Sequence, residues 1–236
     1  MSTSRKVVVV TGASRGIGAA IVQAFRRLDY AVVATSRSIE PSADANVLTV
    51  AGDIADPAVA QRVMTECIAR FGRIDTLVNN AGIYIGKAFT EHTDEDLAAV
   101  MNVNMKGFFY MTQLAIAEMD RQSSGHVVSV TASIADTAYS GVYSALAALT
   151  KGGLNAATKS LAIEFAHKRI RVNAVAPGII KTPMHATDMH DALGAVTPLG
   201  RIGEASDIAD AILYLDRAPF ITGEILHVDG GLNAGR

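Results

Sequence analysis

Hydrophobic positions along the chain fall into two alternating textures. One is a short, nearly unbroken β-branched run. It opens with KVVVVTG (Lys6–Gly12) and returns in YAVVATS (Tyr30–Ser36), NVLTVAG (Asn46–Gly52), DTLVNNAG (Asp75–Gly82), GHVVSV (Gly125–Val130), IRVNAVAPG (Ile170–Gly178) and EILHVDGG (Glu224–Gly231). Runs of this length, apolar on both sides, predict strands buried on both faces. The other texture is a longer stretch with apolar residues at helical spacing: Arg15–Leu28, Pro57–Phe71, a stretch from Thr93 to Met119, and Tyr143–His167. Pro57 suits the first turn of a helix, and Thr93 followed three positions on by Asp96 reads as a capped start. Strand and helix in alternation predict an α/β fold, a parallel sheet with helices on both faces, in one domain over residues 1–236. The connection Arg37–Ala45, with Pro41 inside it, falls short of the ~10–12 residues a helical crossover needs and is expected to be a loop or a single turn.

Composition narrows the class. Half of the residues are hydrophobic and 19% are charged, the balance of a compact soluble protein. The net charge is −2 with both signs interspersed, so no basic stripe points to nucleic acid or to an anionic membrane. Cys67 is the only cysteine, which excludes an intrachain disulfide and suits a reducing compartment. The first residues, MSTSRKVVVVTG, carry no apolar run long enough for a signal peptide, and no spanning segment follows. A cytoplasmic location is expected.

The segment TGASRGIG (Thr11–Gly18) sets Gly12, Gly16 and Gly18 between the first strand and the first helix. Glycines there permit a tight turn and let backbone N–H groups approach a pyrophosphate at the positive end of the helix. The expected contacts are Gly12, Ser14, Arg15, Gly16, Ile17 and Gly18. An NAD site usually places a carboxylate for the ribose 2′-hydroxyl roughly 20 residues downstream of the glycines. Ser36 and Arg37 stand there instead, with no acid before Glu40. Arg15 and Arg37 would grip a 2′-phosphate by charge-assisted bonds, which predicts NADP(H) over NAD(H).

Taken together, these motifs resemble the short-chain dehydrogenase/reductase family of the single-domain type, across nearly the whole chain. TGASRGIG is joined by Asp53 in GDI, by NNAG (Asn79–Gly82), NVNMKG, PGIIKTPM (Pro177–Met184), PLGRIGEASDIADAILYL and ITGEILHVDGG. The resemblance implies a Rossmann-like, doubly wound parallel seven-stranded sheet of order 3-2-1-4-5-6-7 and a homotetramer (or homodimer). It implies that Asp53, with Ile54, meets the adenine, and that Asn80, Ala81 and Gly82 lie along the cofactor ribose. Pro177, Gly178, Ile180 and Thr182 would hold the nicotinamide, and Asn104 would be the catalytic-helix asparagine. The implied chemistry moves a hydride between nicotinamide C4 and a carbonyl or alcohol carbon. In it a tyrosine exchanges the proton, a lysine lowers its pKa and holds the ribose, and a serine orients the substrate oxygen.

One position departs from the pattern. TKGGLNAATKSLAIEFA matches the family without a gap, which makes Lys151 its lysine; in YSALAALTKGG the residue four earlier is Ala147, where the family has tyrosine. Ser133 lies fourteen residues before Ala147 rather than the family's thirteen, with Thr131 as the alternative hydroxyl. Tyr143 shares the helix stripe of Ala147 and Lys151, yet at ~1.5 Å per residue it stands about 12 Å from Lys151, and helical side chains lean away toward the N-terminus. It is expected to line the pocket or serve a larger substrate. Tyr139, His185 and His190 are further proton-donor candidates. His185, Asp188 and His190 find no further ligand, and no metal site is expected. The expected catalytic set is Asn104, Ser133, Lys151 and Tyr143, in an NADP(H)-dependent oxidoreductase of a small carbonyl or alcohol with a non-standard proton donor. The alternatives are a non-catalytic NADP(H)-binding sensor or silent subunit, and elimination or epimerisation in the same cleft.

Overall fold

The computed structural model describes residues 5–235, and all seven β-branched runs pair within a single sheet. The strands are β1 (Val7–Thr11), β2 (Ala31–Ser36), β3 (Val47–Ala51), β4 (Thr76–Asn79), β5 (Gly125–Val130), β6 (Ile170–Pro177) and β7 (Ile225–Val228). Their order is β3-β2-β1-β4-β5-β6-β7, every pair parallel, as the resemblance implied. Around them lie α1 (Gly16–Arg27), α2 (Pro57–Phe71), α3 (Asp94–Val100), α4 (Gly107–Gln122), α5 (Ala145–Phe165), α6 (His190–Ala195) and α7 (Ala205–Arg217). Residues 37–45 form no helix or strand, in line with the short connection.

The two faces of β1 show why the run is continuous. Val7 and Val9 pack with α2, α4 and α5 residues such as Val63, Met111 and Ala162, while Val8 and Val10 pack with Ile21 and Phe25 of α1 and Ile212 of α7. Each valine is at most 1% exposed, so each contributes about 1.5–3 kcal/mol of apolar burial. A polar residue at any of these positions would meet hydrocarbon on whichever face it pointed to. Among the described residues no helix is long and apolar enough to cross a membrane.

Three expectations are corrected. The stretch from Thr93 to Met119 is not one α-helix: α3 and α4 are separated by a π-helical segment, Met101–Lys106, which carries Asn104. Its start is as expected, since Thr93 and Asp96 form a reciprocal capping box. The helix expected from Tyr143 begins instead at Ala145, because Gly141 (φ +79) reverses the chain and Ser144 (φ −119, ψ 2) is the last non-helical residue. Tyr143 therefore lies outside the helix, and no helix stripe joins it to Lys151. Finally, α6 and α7 lie beyond the helices expected from periodicity. The strand order reverses about β1 and β4, and the crevice beyond their carboxyl ends is where such sheets bind ligands.

Candidate active site

The first wall of this crevice is a turn with no room for side chains. Thr11 ends β1, and its hydroxyl accepts the N–H groups of Asn80 and Ala81, both at 3.0 Å. The Asn80 amide donates to the carbonyls of Thr11 (2.9 Å) and Gly12 (3.2 Å), fastening the end of β4 to the glycine turn. Gly12 and Gly16 sit at φ +64 and +54, in the left-handed region. At Gly18 a Cβ would lie 2.1 Å from the Gly12 carbonyl oxygen. No side chain caps α1, whose leading N–H groups face this turn.

Charge and reach around the turn are mixed. Ser14, Arg15 and Arg37 are exposed, and no ion pair among the described residues engages either arginine. Asp53 is exposed and accepts the Ala55 N–H at 3.0 Å. The Ile54 side chain is buried against Gly107, where a Cβ would come within 2.4 Å of it, so Ile54 presents only backbone to the crevice. Ile17 packs at the edge of the core formed with α7. The opposite wall leaves β6 at Pro177. Gly178 passes Asp229 with no space for a Cβ, and Ile180 is buried and bridges to Gly203. The Thr182 methyl lies 3.4 Å from where a Gly16 Cβ would be. The structure thus brings the two segments expected to hold the cofactor into contact.

A second cluster forms where α5 and the π segment meet the loop after β4. The Asn104 side chain accepts the Ile83 N–H (2.9 Å) and donates to the Ile83 carbonyl (3.1 Å) and the Thr150 hydroxyl (3.2 Å). Lys151 Nζ donates to the Val130 carbonyl at 2.7 Å. A Cβ on Gly82 would be 3.0 Å from Lys151 Nζ and 3.3 Å from Asn104 Oδ1, so this glycine is the point on which both side chains close. Burial pulls the Lys151 ammonium down to about 8, which leaves it mostly charged at pH 7. Ser133 is buried in the 3-10 turn Ser133–Ala135 that follows β5. Thr131 is tied to β6 by its bond to the Val175 carbonyl. Ala147 is buried in the first turn of α5, four residues before Lys151, and belongs to neither apolar core.

The other donor candidates lie further out. Tyr143 is 60% exposed, and its carbonyl accepts the Tyr84 hydroxyl at 2.7 Å. Tyr84 was not legible as a site residue, because nothing in its local sequence reports a contact made 59 positions away. Partial burial raises its pKa above the ordinary phenol value. His185 is partly buried, which lowers its pKa, with His190 adding to the effect. Among the described residues no cluster of three or more His, Cys, Asp or Glu could hold a metal.

Comparison with known proteins fits this geometry. Residues 12–233 match the family profile described as enoyl-(acyl carrier protein) reductase. Carbonyl reductase family member 4 of Xenopus laevis is 36% identical over 96% of this chain and 98% of its own. The 3-oxoacyl-(acyl-carrier-protein) reductase FabG of Thermotoga maritima is 36% identical over 98% and 99%. The chain belongs to the short-chain dehydrogenase/reductase family. Short-chain dehydrogenase/reductase structures superpose closely on it. ElxO with NADP bound gives a TM-score of 0.92 at 32% identity, covering 98% of this chain and all of that one. A tyrosine-to-phenylalanine variant of ElxO with NADPH bound matches equally well. A 3-ketoacyl-(acyl-carrier-protein) reductase from Brucella melitensis complexed with NADH gives 0.89 at 29% identity, over 97% and 98%. Within this short-chain dehydrogenase/reductase family the chain is an NAD(P)-dependent oxidoreductase.

Proposed function

We propose that the chain is an NADP(H)-dependent oxidoreductase of a small carbonyl or alcohol in which a group other than a tyrosine on α5 handles the proton. The observation that carries this reading is the closure of Lys151 Nζ and Asn104 Oδ1 on Gly82, with an alanine buried one turn before the lysine. The dinucleotide fits the crevice, because the side-chain-free turn at Gly12 and Gly16 leads into the N-terminus of α1, which no side chain caps and whose N–H groups would meet a pyrophosphate. Gly12, Ser14, Arg15, Gly16, Ile17 and Gly18 hold the pyrophosphate side, Asp53 and the Ile54 backbone the adenine, and Asn80, Ala81 and Gly82 the ribose. Pro177, Gly178, Ile180 and Thr182 hold the nicotinamide. When bound, the cofactor supplies or accepts the hydride at C4.

The preference for NADP(H) rests on Arg15 and Arg37, both exposed and without an ion pair among the described residues. Lys151 would hold the ribose hydroxyls with its charge, Ser133 would orient the substrate oxygen, and Asn104 fixes the loop after β4 on which Lys151 closes. Tyr143, exposed on the rim, lines the entrance. Lacking a positioned general acid typically costs ~10²–10⁴ in rate, so slow turnover is expected. The names of the relatives, carbonyl reductase and acyl-carrier-protein reductase, favour a carbonyl as the substrate. Exposed apolar residues on the outer faces of α4 and α5 (Phe109, Leu149, Ile163) support a homotetramer or homodimer. A cytoplasmic location belongs to the same reading.

Ala147 also favours a second reading, a cofactor-binding sensor or silent subunit. The NADPH-bound ElxO variant supports the idea that a site of this kind fills without one of its phenols. One experiment separates the two. NADPH oxidation is followed over a carbonyl panel for wild type, Ala147→Tyr and Lys151→Ala. The enzyme reading expects measurable wild-type turnover that Lys151→Ala lowers at least tenfold. NADPH binding with no wild-type turnover on any carbonyl would hand the case to the sensor.

A further inference from the structure

We propose that Asp136 is a positioning residue that clamps the turn bearing Ser133 to the helix bearing Lys151. This rests on the reading that those two groups act together. The Ser133 carbonyl accepts the N–H groups of Asp136 and Thr137, both at 3.1 Å, so Asp136 is bonded into the end of the serine turn. Its carboxylate then reaches in two directions. Both oxygens accept from the Asn155 amide nitrogen at 3.1 Å, and Oδ2 accepts from His227 Nε2 at 3.0 Å. Asn155 lies four residues after Lys151 in α5, on the same stripe. It is 6% exposed, and its own oxygen is buried without a hydrogen bond, so the amide is oriented toward Asp136. His227 belongs to β7, two strands from β5. The next residue, Thr137, bonds the Asn233 side chain near the C-terminus.

One carboxylate therefore ties the serine turn, the lysine helix and the last strand together. The Asp136 side chain is 37% exposed, so removing it opens no cavity in either core, and the loss falls on local geometry.

The test attaches a reporter to the turn. Ser133→Cys places a thiol there, and the single native cysteine, Cys67, is silent. It is fully buried, it bonds the Arg73 carbonyl, and burial pushes its thiol up to about 12. Alkylation of the thiol at position 133 by iodoacetamide is timed in this background. Adding Asp136→Ala is expected to speed it at least tenfold with circular dichroism and Tm unchanged. Asn155→Asp, which sets two carboxylates face to face, is expected to do the same. Combining Asn155→Asp with Asp136→Asn restores the donor–acceptor pair and is expected to recover most of the protection. An unchanged rate in Asp136→Ala, or no recovery in the exchange, overturns the clamp.

With Ser133 intact, Asp136→Ala is expected to lower kcat at least tenfold while KM for NADPH stays put. Faster alkylation with kcat unaltered would overturn the positioning role. Absent turnover in the wild type would instead sink the enzymatic reading, and the alkylation rates would still decide the clamp.

Discussion

A methyl group at position 18 would sit 2.1 Å from the Gly12 oxygen and 2.7 Å from the Asn80 amide nitrogen. Both neighbours are pinned, one as backbone and the other by its bonds to Thr11 and Gly12. Gly18→Ala must therefore displace the turn rather than a flexible side chain. NADPH affinity is expected to fall at least tenfold, about 1.4 kcal/mol, as read by calorimetric titration. Gly152 provides the opposite case beside Lys151. Its nearest atom outside the helix backbone would be 3.9 Å from a Cβ, and it lies inside α5. Gly152→Ala should stabilise the protein by up to about 1 kcal/mol in urea denaturation, with cofactor affinity unchanged. Both glycines stand in motifs visible in the sequence, yet only the neighbours in space decide which tolerates a methyl. The same limit hid Asp136 and His227, whose contact spans 91 positions. Lys151, Asn104 and the glycines could be singled out because their signal is a fixed spacing along the chain, and the structure brings Lys151 and Asn104 together at Gly82.

At the level of elements, the sequence signal was strongest where burial is two-sided. All seven strands were legible, since a run such as Val7–Val10 has no other stable place than the middle of a covered sheet. Helix ends with a chemical marker were also legible: Pro57 opens α2 at the expected residue, and Thr93 caps α3. The π segment was not, because one widened turn barely disturbs an apolar period. Its consequence is local and large. The six residues Met101–Lys106 place Asn104 beneath the loop after β4, where it satisfies both backbone groups of Ile83. Asn104→Leu leaves that N–H and carbonyl without partners in a site only 2% exposed. A loss of about 2–4 kcal/mol is expected in urea unfolding, because each buried unsatisfied group costs about 1–3 kcal/mol. Asn104→Asp, which can still accept the Ile83 N–H, should lose less. Equal losses in the two variants would mean that the bonds to Ile83 contribute little.

Across the whole molecule, the polar groups of the sheet divide between its two ends. The carboxyl end holds the candidate site, and the amino end holds a buried hub around Asp216 of α7. Asp216 accepts the hydroxyls of Thr76 (2.6 Å) and Tyr30 (2.8 Å) and faces His126 Nδ1 at 3.4 Å. Asn173 Nδ2 meets His126 Nε2 at 3.1 Å, and Arg171 donates to the carbonyls of Leu215, Asp216 and Ile221. The hub binds α7 to β4, β5 and β6 and to the residue before β2, at the end of the sheet furthest from the crevice. His126 is 3% exposed in its side chain, and burial, assisted by the Arg171 charge and opposed by Asp216, brings its pKa from 6.5 down to about 4. The folded state thus keeps this imidazole neutral over a range in which the unfolded chain has already taken up a proton. Between pH 6.5 and 4 the unfolded state binds more protons, so stability falls as pH falls, by up to about 3 kcal/mol at the acid end. Asp216 acts in the same sense at lower pH. Burial alone would raise its pKa, but the hydrogen bonds from His126, Thr76 and Tyr30 hold it below the ordinary carboxylate range, so its stabilising share is lost once it protonates. His126→Gln keeps an amide able to donate to Asp216 and removes the titrating ring. Urea unfolding of wild type and variant at half-unit steps from pH 7.5 to 4 is therefore expected to show a steep decline below 6.5 in the first and a shallow one in the second. If the two curves run parallel, the destabilising protons bind elsewhere and the hub is not the acid-sensitive joint between α7 and the sheet.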